Sequence, residues 1–158
     1  MHSNLMEIVE RFQTHHALQE EEFNTHQGGK KMKIIEDYGR AIENSDEHLF
    51  NEVFAPQLRL EIPNGAIFNH PANAASHQMS QVAKTAPGIK RTLTADAGSN
   101  WHLLVFEGEL AGEKFQAVDQ VHLNSASRID HIIIYMRPTP VSEKFAEAIG
   151  RRLQATPQ

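Results

Sequence analysis

The stretch FQAVDQVHL, residues 115–123, carries an aspartate inside an apolar row. With the period-two alternation of a strand, Phe115, Ala117, Val121 and Leu123 share a face with Asp119, while Gln116, Val118, Gln120 and His122 take the other. An ionised carboxylate in such a row is costly unless it is paired or hydrogen-bonded. Burial favours its neutral form, and a neutral carboxylic acid can donate a hydrogen bond to a developing enolate. The competing reading is a structural pair between Asp119 and a buried Tyr or His. The ten histidines invite a metal reading, but their spacing argues against one. His15 and His16 are adjacent and point about 100° apart on a helix. His70 and His77 are separated by Pro71, and neither HxxxH nor HxH occurs. No metal and no cofactor is expected.

The chain of 158 residues is long enough for one domain with a real core. A net charge of −5 offers no basic field for nucleic acid or for an anionic membrane. The absence of Cys excludes disulfides and thiolate chemistry and fits a reducing, cytoplasmic compartment. The longest apolar run, residues 132–136, is too short to span a bilayer.

The elements that must position Asp119 follow from periodicity and punctuation. Leu5, Ile8, Val9 and Phe12 predict a helix over residues 4–24, and Gly28-Gly29 predict a break after it. A second helix follows over 31–44, with Met32, Ile35, Tyr38 and Ile42 along one stripe. Asn44 or Ser45 is expected to cap a short helix, DEHLFNEVF, that ends before Pro56. LRLEIP (58–63) reads as a strand, residues 64–73 as a loop and 74–86 as a helix. Four strand candidates come next, at 89–97, 101–110, 113–123 and 128–137, joined by short turns. Pro138 and Pro140 end the sheet, and an amphipathic helix closes the chain over 141–153. Segregated helices and antiparallel strands indicate an α+β fold. The last strand is apolar on both faces, so its outer face needs a cover, either a second subunit or the C-terminal helix.

Two segments carry a family resemblance. YGRAIENSDEHLFNEVFAPQLRLEIP (38–63) and AVDQVHLNSASRIDHIIIYMRP (117–138) are similar to the tyrosine-bearing helix, helix-capping Asp, short strand and final strand pair of the nuclear transport factor 2-like superfamily, in its SnoaL-like polyketide cyclase and ketosteroid isomerase branch. The resemblance implies a curved antiparallel sheet wrapped around three helices as a cone with an apolar pocket. Here an N-terminal helical extension (1–30) and a C-terminal helix would be added. The domain would span 31–153, with 154–158 as a tail, and would pair as a homodimer through the outer face of the sheet.

The resemblance also assigns roles. Tyr38 stands eight residues before Asp46, as the isomerase's oxyanion-stabilising Tyr does, and Asp119 stands where the isomerase keeps a protonated Asp. The position of the isomerase's general base is Ile62, so its chemistry has no base there. His70 and His77 flank the expected pocket loop and are the candidate replacements. Ile62, Phe68, Leu104, Phe106, Ala117, Val121, Ile132, Ile134 and Met136 are the expected ligand-binding residues. The implied function is a pocket for a small, largely apolar, carbonyl-type ligand. The alternative is a cofactor-independent isomerase, cyclase or dehydratase using Asp119 and Tyr38.

Overall fold

In the computed structural model, which describes residues 3–155, the first element is one helix, α1 (Ser3–Asn44). It runs through Gly28-Gly29, where the sequence predicts a break. Each Gly costs a helix about 1 kcal/mol relative to Ala, and the neighbouring Gln, Lys and Met are good helix formers, so the pair weakens the helix without ending it. Contacts divide the chain into two compact units, residues 1–33 and 34–158. In the first unit, Leu18 and Met32 are exposed. Met32 thus leaves the apolar stripe that the sequence assigns to it. The expected apolar face Leu5, Ile8, Val9 and Phe12 falls on side chains outside the described residues, as do residues 156–158 of the expected tail.

The second unit is a six-stranded curved sheet packed against helices. From α1 it buries Ile35, Tyr38, Ala41 and Ile42, positions spaced at three and four. Ser45, in the left-handed region at φ 53°, turns the chain into α2 (Glu47–Val53). The cap of α2 is Asp46, whose side chain accepts from the Leu49 N–H at 3.0 Å, and neither Asn44 nor Ser45 fills that role. Asp46→Ala should cost about 1 kcal/mol in urea unfolding. An unchanged midpoint would show that the cap contributes nothing.

The strands are β1 (Phe54–Glu61), β2 (Ile67–Pro71), β3 (Lys90–Gly98), β4 (Trp101–Leu110), β5 (Glu113–Leu123) and β6 (Ile129–Arg137), in the sheet order β2-β1-β6-β5-β4-β3. All neighbours are antiparallel except β1 and β6, which run parallel. A parallel pair needs a long crossover, and everything between β1 and β6 supplies it. β1 starts four residues earlier than LRLEIP suggests. Pro56 is tolerated inside it because the β1–β6 ladder is irregular between Phe54 and Arg59.

The segment read as a loop over 64–73 contains β2, a short edge strand paired only with β1. Neither composition nor alternation marks it, and pairing with β1 makes it a strand. α3 (Ala72–Thr85) follows directly. α4 (Thr139–Ala155) starts right after Pro138, with Pro140 inside its first turn, where a missing N–H costs no helical bond. Val141 and Phe145 of α4 belong to the same core as Leu104, Phe106 and Val121 of the sheet.

Candidate functional site

Asp119 sits in the middle of β5, opposite Leu104 of β4 and Ile134 of β6. It is 4% exposed, and Tyr38 on α1 is fully buried. The Tyr38 hydroxyl donates to Asp119 Oδ2 at 2.6 Å. The tyrosine ring is held edge-on to Phe50 at 5.9 Å and tilted against Phe54 at 6.3 Å, so α1, α2 and β1 together aim its hydroxyl at β5. Burial pushes the Asp119 carboxyl up to about 6, against the opposing pull of the Tyr38 hydrogen bond. Burial and the neighbouring Asp119 hold the Tyr38 hydroxyl well above its usual range, so it keeps its proton at neutral pH. Tyr38→Phe should cost about 1–2 kcal/mol by leaving a buried oxygen unpaired. The loss should be larger above pH 6 than below, because the carboxylate needs the donor more than the acid does. Equal loss at both pH values in urea unfolding would contradict this.

Asp119 lines a cavity of about 30 Å³, room for one or two waters. Four of the expected ligand-binding residues line it too: Phe106, Ala117, Ile134 and Met136. Leu104, Val121 and Ile132 are fully buried core instead. Ile62 packs on the flank of the core, and Phe68 lies on the edge strand. The wall is completed by residues that sequence reading did not assign to it, among them Ile42, Met79, Ile89 and Phe145. Ile42 follows Tyr38 by one helical turn, which was a usable signal. Phe145 had none, since nothing local says that α4 folds back over β5. The Phe145 ring meets Phe115 edge-on at 5.4 Å. Phe115 in turn lies over Gly108, where a Cβ would come within 2.6 Å of its ring.

The two candidate bases are not brought to Asp119. His70 lies on β2, three strand spacings from β5, roughly 14 Å. It stacks on Phe68, and its buried Nε2 has no hydrogen-bond partner. His77 is turned toward Glu47, with Nδ1 at 3.2 Å from Oε2. Glu61, next to Ile62, binds Arg59 Nε at 3.0 Å and His131 Nε2 at 2.9 Å, and these bonds hold its carboxyl below the usual range. Arg59 and His131 are directly paired across β1 and β6. Their side of the sheet also carries His122, hydrogen-bonded to Asp130 at 2.6 Å, with the Trp101 ring close to both His122 and His131. Among the described residues no group of three or more His, Asp or Glu side chains is placed to hold a metal, and no helix is long and apolar enough to cross a membrane.

No family model and no curated protein matches the sequence. Solved structures do match the fold. A steroid delta-isomerase from Pseudomonas aeruginosa superposes with TM-score 0.72 at 16% identity, covering 80% of this chain and 93% of its own. A bacterial protein with a cystatin-like fold from Silicibacter pomeroyi DSS-3 gives TM-score 0.72 at 17% identity, over 77% and 86%. The epoxide hydrolase/cyclase-like enzyme SalBIII, described in pyran ring formation in the polyether salinomycin, gives 0.57 at 19%, over 71% and 94%. An NTF2-like protein of unknown function from Burkholderia xenovorans LB400 gives 0.60 at 13%, over 83% and 96%. Identities this low carry the fold alone, and with its curved six-stranded sheet packed against helices the chain has the nuclear transport factor 2-like fold.

Proposed function

We propose that the chain binds a small, largely apolar molecule carrying one hydrogen-bonding oxygen, such as a carbonyl, at Asp119. The observation that carries this reading is a buried carboxyl on the wall of an otherwise apolar cavity, with one oxygen taken by Tyr38. The other oxygen, Oδ1, is left for a ligand. Tyr38 is absent from the cavity wall and acts as a positioning residue behind Asp119. Asp119 is the one ionisable group among the lining residues, which favours binding over proton shuttling between two groups. The second reading is a cofactor-independent isomerase, cyclase or dehydratase, favoured by the same carboxyl titrating at about 6, close to neutral pH.

A cavity of about 30 Å³ does not admit such a ligand, so binding must enlarge it, and Phe145, which lines it from α4, is the wall residue we propose gives way. α4 is lightly held. It buries only Val141 and Phe145 fully, and its surface ties include the Lys144–Glu113 ion pair at 2.6 Å. Below about pH 6, where Asp119 keeps its proton and can donate to a ketone oxygen, cyclohexanone should raise the melting temperature in a concentration-dependent way. Asp119→Leu should remove that response. An equal shift in Asp119→Leu, or none in the parent, would contradict the reading.

The same reading includes a homodimer. Leu93, Val105, Val118 and Tyr135 are cross-strand partners in one continuous row over β3, β4, β5 and β6. Leu93 is 55% and Tyr135 52% exposed. α4 does not supply their cover, because its apolar residues pack into the core on the Asp119 side. Such a row is an association or aggregation surface unless a second copy covers it. Light scattering should give twice the chain mass, and Ile133→Lys, beside the row, should give the single mass. A monomeric parent would remove the dimer without touching the Asp119 site.

A further inference from the structure

Gly39 sits in the interior of α1, where a glycine weakens a helix relative to Ala. Its neighbour explains the missing side chain. The Arg91 side chain crosses α1 at this point, and a Cβ on Gly39 would come within 2.8 Å of Nη1, 3.0 Å of Cζ and 3.2 Å of Cδ. Arg91 stands in β3 opposite Phe106, a wall residue of the Asp119 cavity, so it reaches α1 on the cavity side of the sheet.

Arg91 holds three successive turns of the helix. Its Nη2 donates to Glu36 Oε2 at 2.6 Å, its guanidinium covers Gly39, and its backbone N–H donates to Glu43 Oε1 at 2.7 Å. Each of these helix residues directly follows one that the core buries, namely Ile35, Tyr38 and Ile42. A grip on 36, 39 and 43 therefore fixes both the rotation and the axial position of the stripe that carries Tyr38. The buried Nη1 has no hydrogen-bond partner among the described residues, so at Gly39 the guanidinium acts by fit rather than by bonding.

We propose that Arg91 is a positioning residue for the Tyr38–Asp119 pair, seating α1 so that the Tyr38 hydroxyl meets Asp119 Oδ2. That bond is 2.6 Å long, and a hydrogen bond weakens steeply as its length and angle leave the optimum. Arg91 is absent from the cavity wall and acts on Asp119 through Tyr38. Its value to a ligand rests on the reading given to Asp119 above, whereas its effect on the Tyr38 bond does not.

The test is a carbon-13 NMR titration of the Asp119 carboxyl in the full chain without ligand. Tyr38 is the titratable group bonded to Asp119, and the cavity-lining residues of α1, α3, β4, β6 and α4 include no other. The Tyr38 bond lowers the midpoint because it favours the carboxylate. Arg91→Gln should therefore raise the midpoint from about 6 to about 6.5 or above. Gly39→Ala should do the same with no change of charge, because the added methyl displaces the guanidinium, and it carries the test should Arg91→Gln not fold. In a Tyr38→Phe background, where the bond is already gone, neither substitution should move the midpoint further. Arg59→Gln, the same loss of charge two strands from β5 on the other side, should leave it unmoved. An unchanged midpoint in either variant, an equal rise in the Tyr38→Phe background, or an equal rise from Arg59→Gln would overturn the proposal. A missing cyclohexanone response in the parent would remove the ligand reading and leave the positioning role standing.

Discussion

Phe145→Ala should destabilise the protein by about 3–5 kcal/mol, the usual cost of deleting a buried phenyl ring. The ring is 4% exposed and contacts Phe115 edge-on at 5.4 Å, so its loss removes packing from both α4 and β5. The same substitution enlarges the space beside Asp119, now about 30 Å³. A ligand too large for the parent then enters without moving α4, so cyclohexanone should raise the melting temperature of the variant more than that of the parent. Urea unfolding with and without the ketone reads both effects. A cost under about 1 kcal/mol would mean that α4 does not pack as described. A large cost with no added ligand response would mean that Phe145 does not gate the cavity.

Asp119→Asn should become more favourable, relative to the parent, as pH rises. The ordinary Asp value is 3.8 and the folded value is about 6. As pH climbs past the lower value, the unfolded chain ionises first, and folding must then return a proton to the carboxyl. The penalty grows until pH passes the folded value and is constant above it. Asn carries no such penalty, keeps a donor and an acceptor, and has nearly the same shape. The stability difference, variant minus parent, should therefore increase by about 2 kcal/mol between roughly pH 4.5 and pH 8. A difference that stays flat, or that falls with pH, would contradict a raised carboxyl pKa.

Much of the sheet could be read directly, because β5 alternates clearly, β4 and β6 carry apolar β-branched and aromatic runs of strand length, and short turns separate the three. Asp119 stood out for the same reason, as a polar residue at an apolar phase. The link to Tyr38 came from the resemblance, since no local pattern connects residues 81 positions apart. Other features depended on tertiary context. β2 is an edge strand without strand composition, and α1 continues through two glycines that punctuate most helices. The roles proposed for His70 and His77 required their side chains to converge on β5. The sheet order puts β1 and β6 between His70 and Asp119, and Glu47 holds His77 elsewhere. Phe145 escaped notice because an amphipathic helix says that it packs, but not on what.

Each functional reading of Asp119 rests on its being a buried acid that holds its proton up to near-neutral pH. The direct measurement is a carbon-13 NMR titration of the Asp119 carboxyl carbon in the folded protein, assigned by comparison with Asp119→Asn. The account predicts a midpoint at about 6, with the Tyr38 ring shifting in the same titration. A midpoint at or below the ordinary 3.8 would contradict it. Asp119 would then be a stabilised carboxylate, unable to offer a proton or a donor to a ligand.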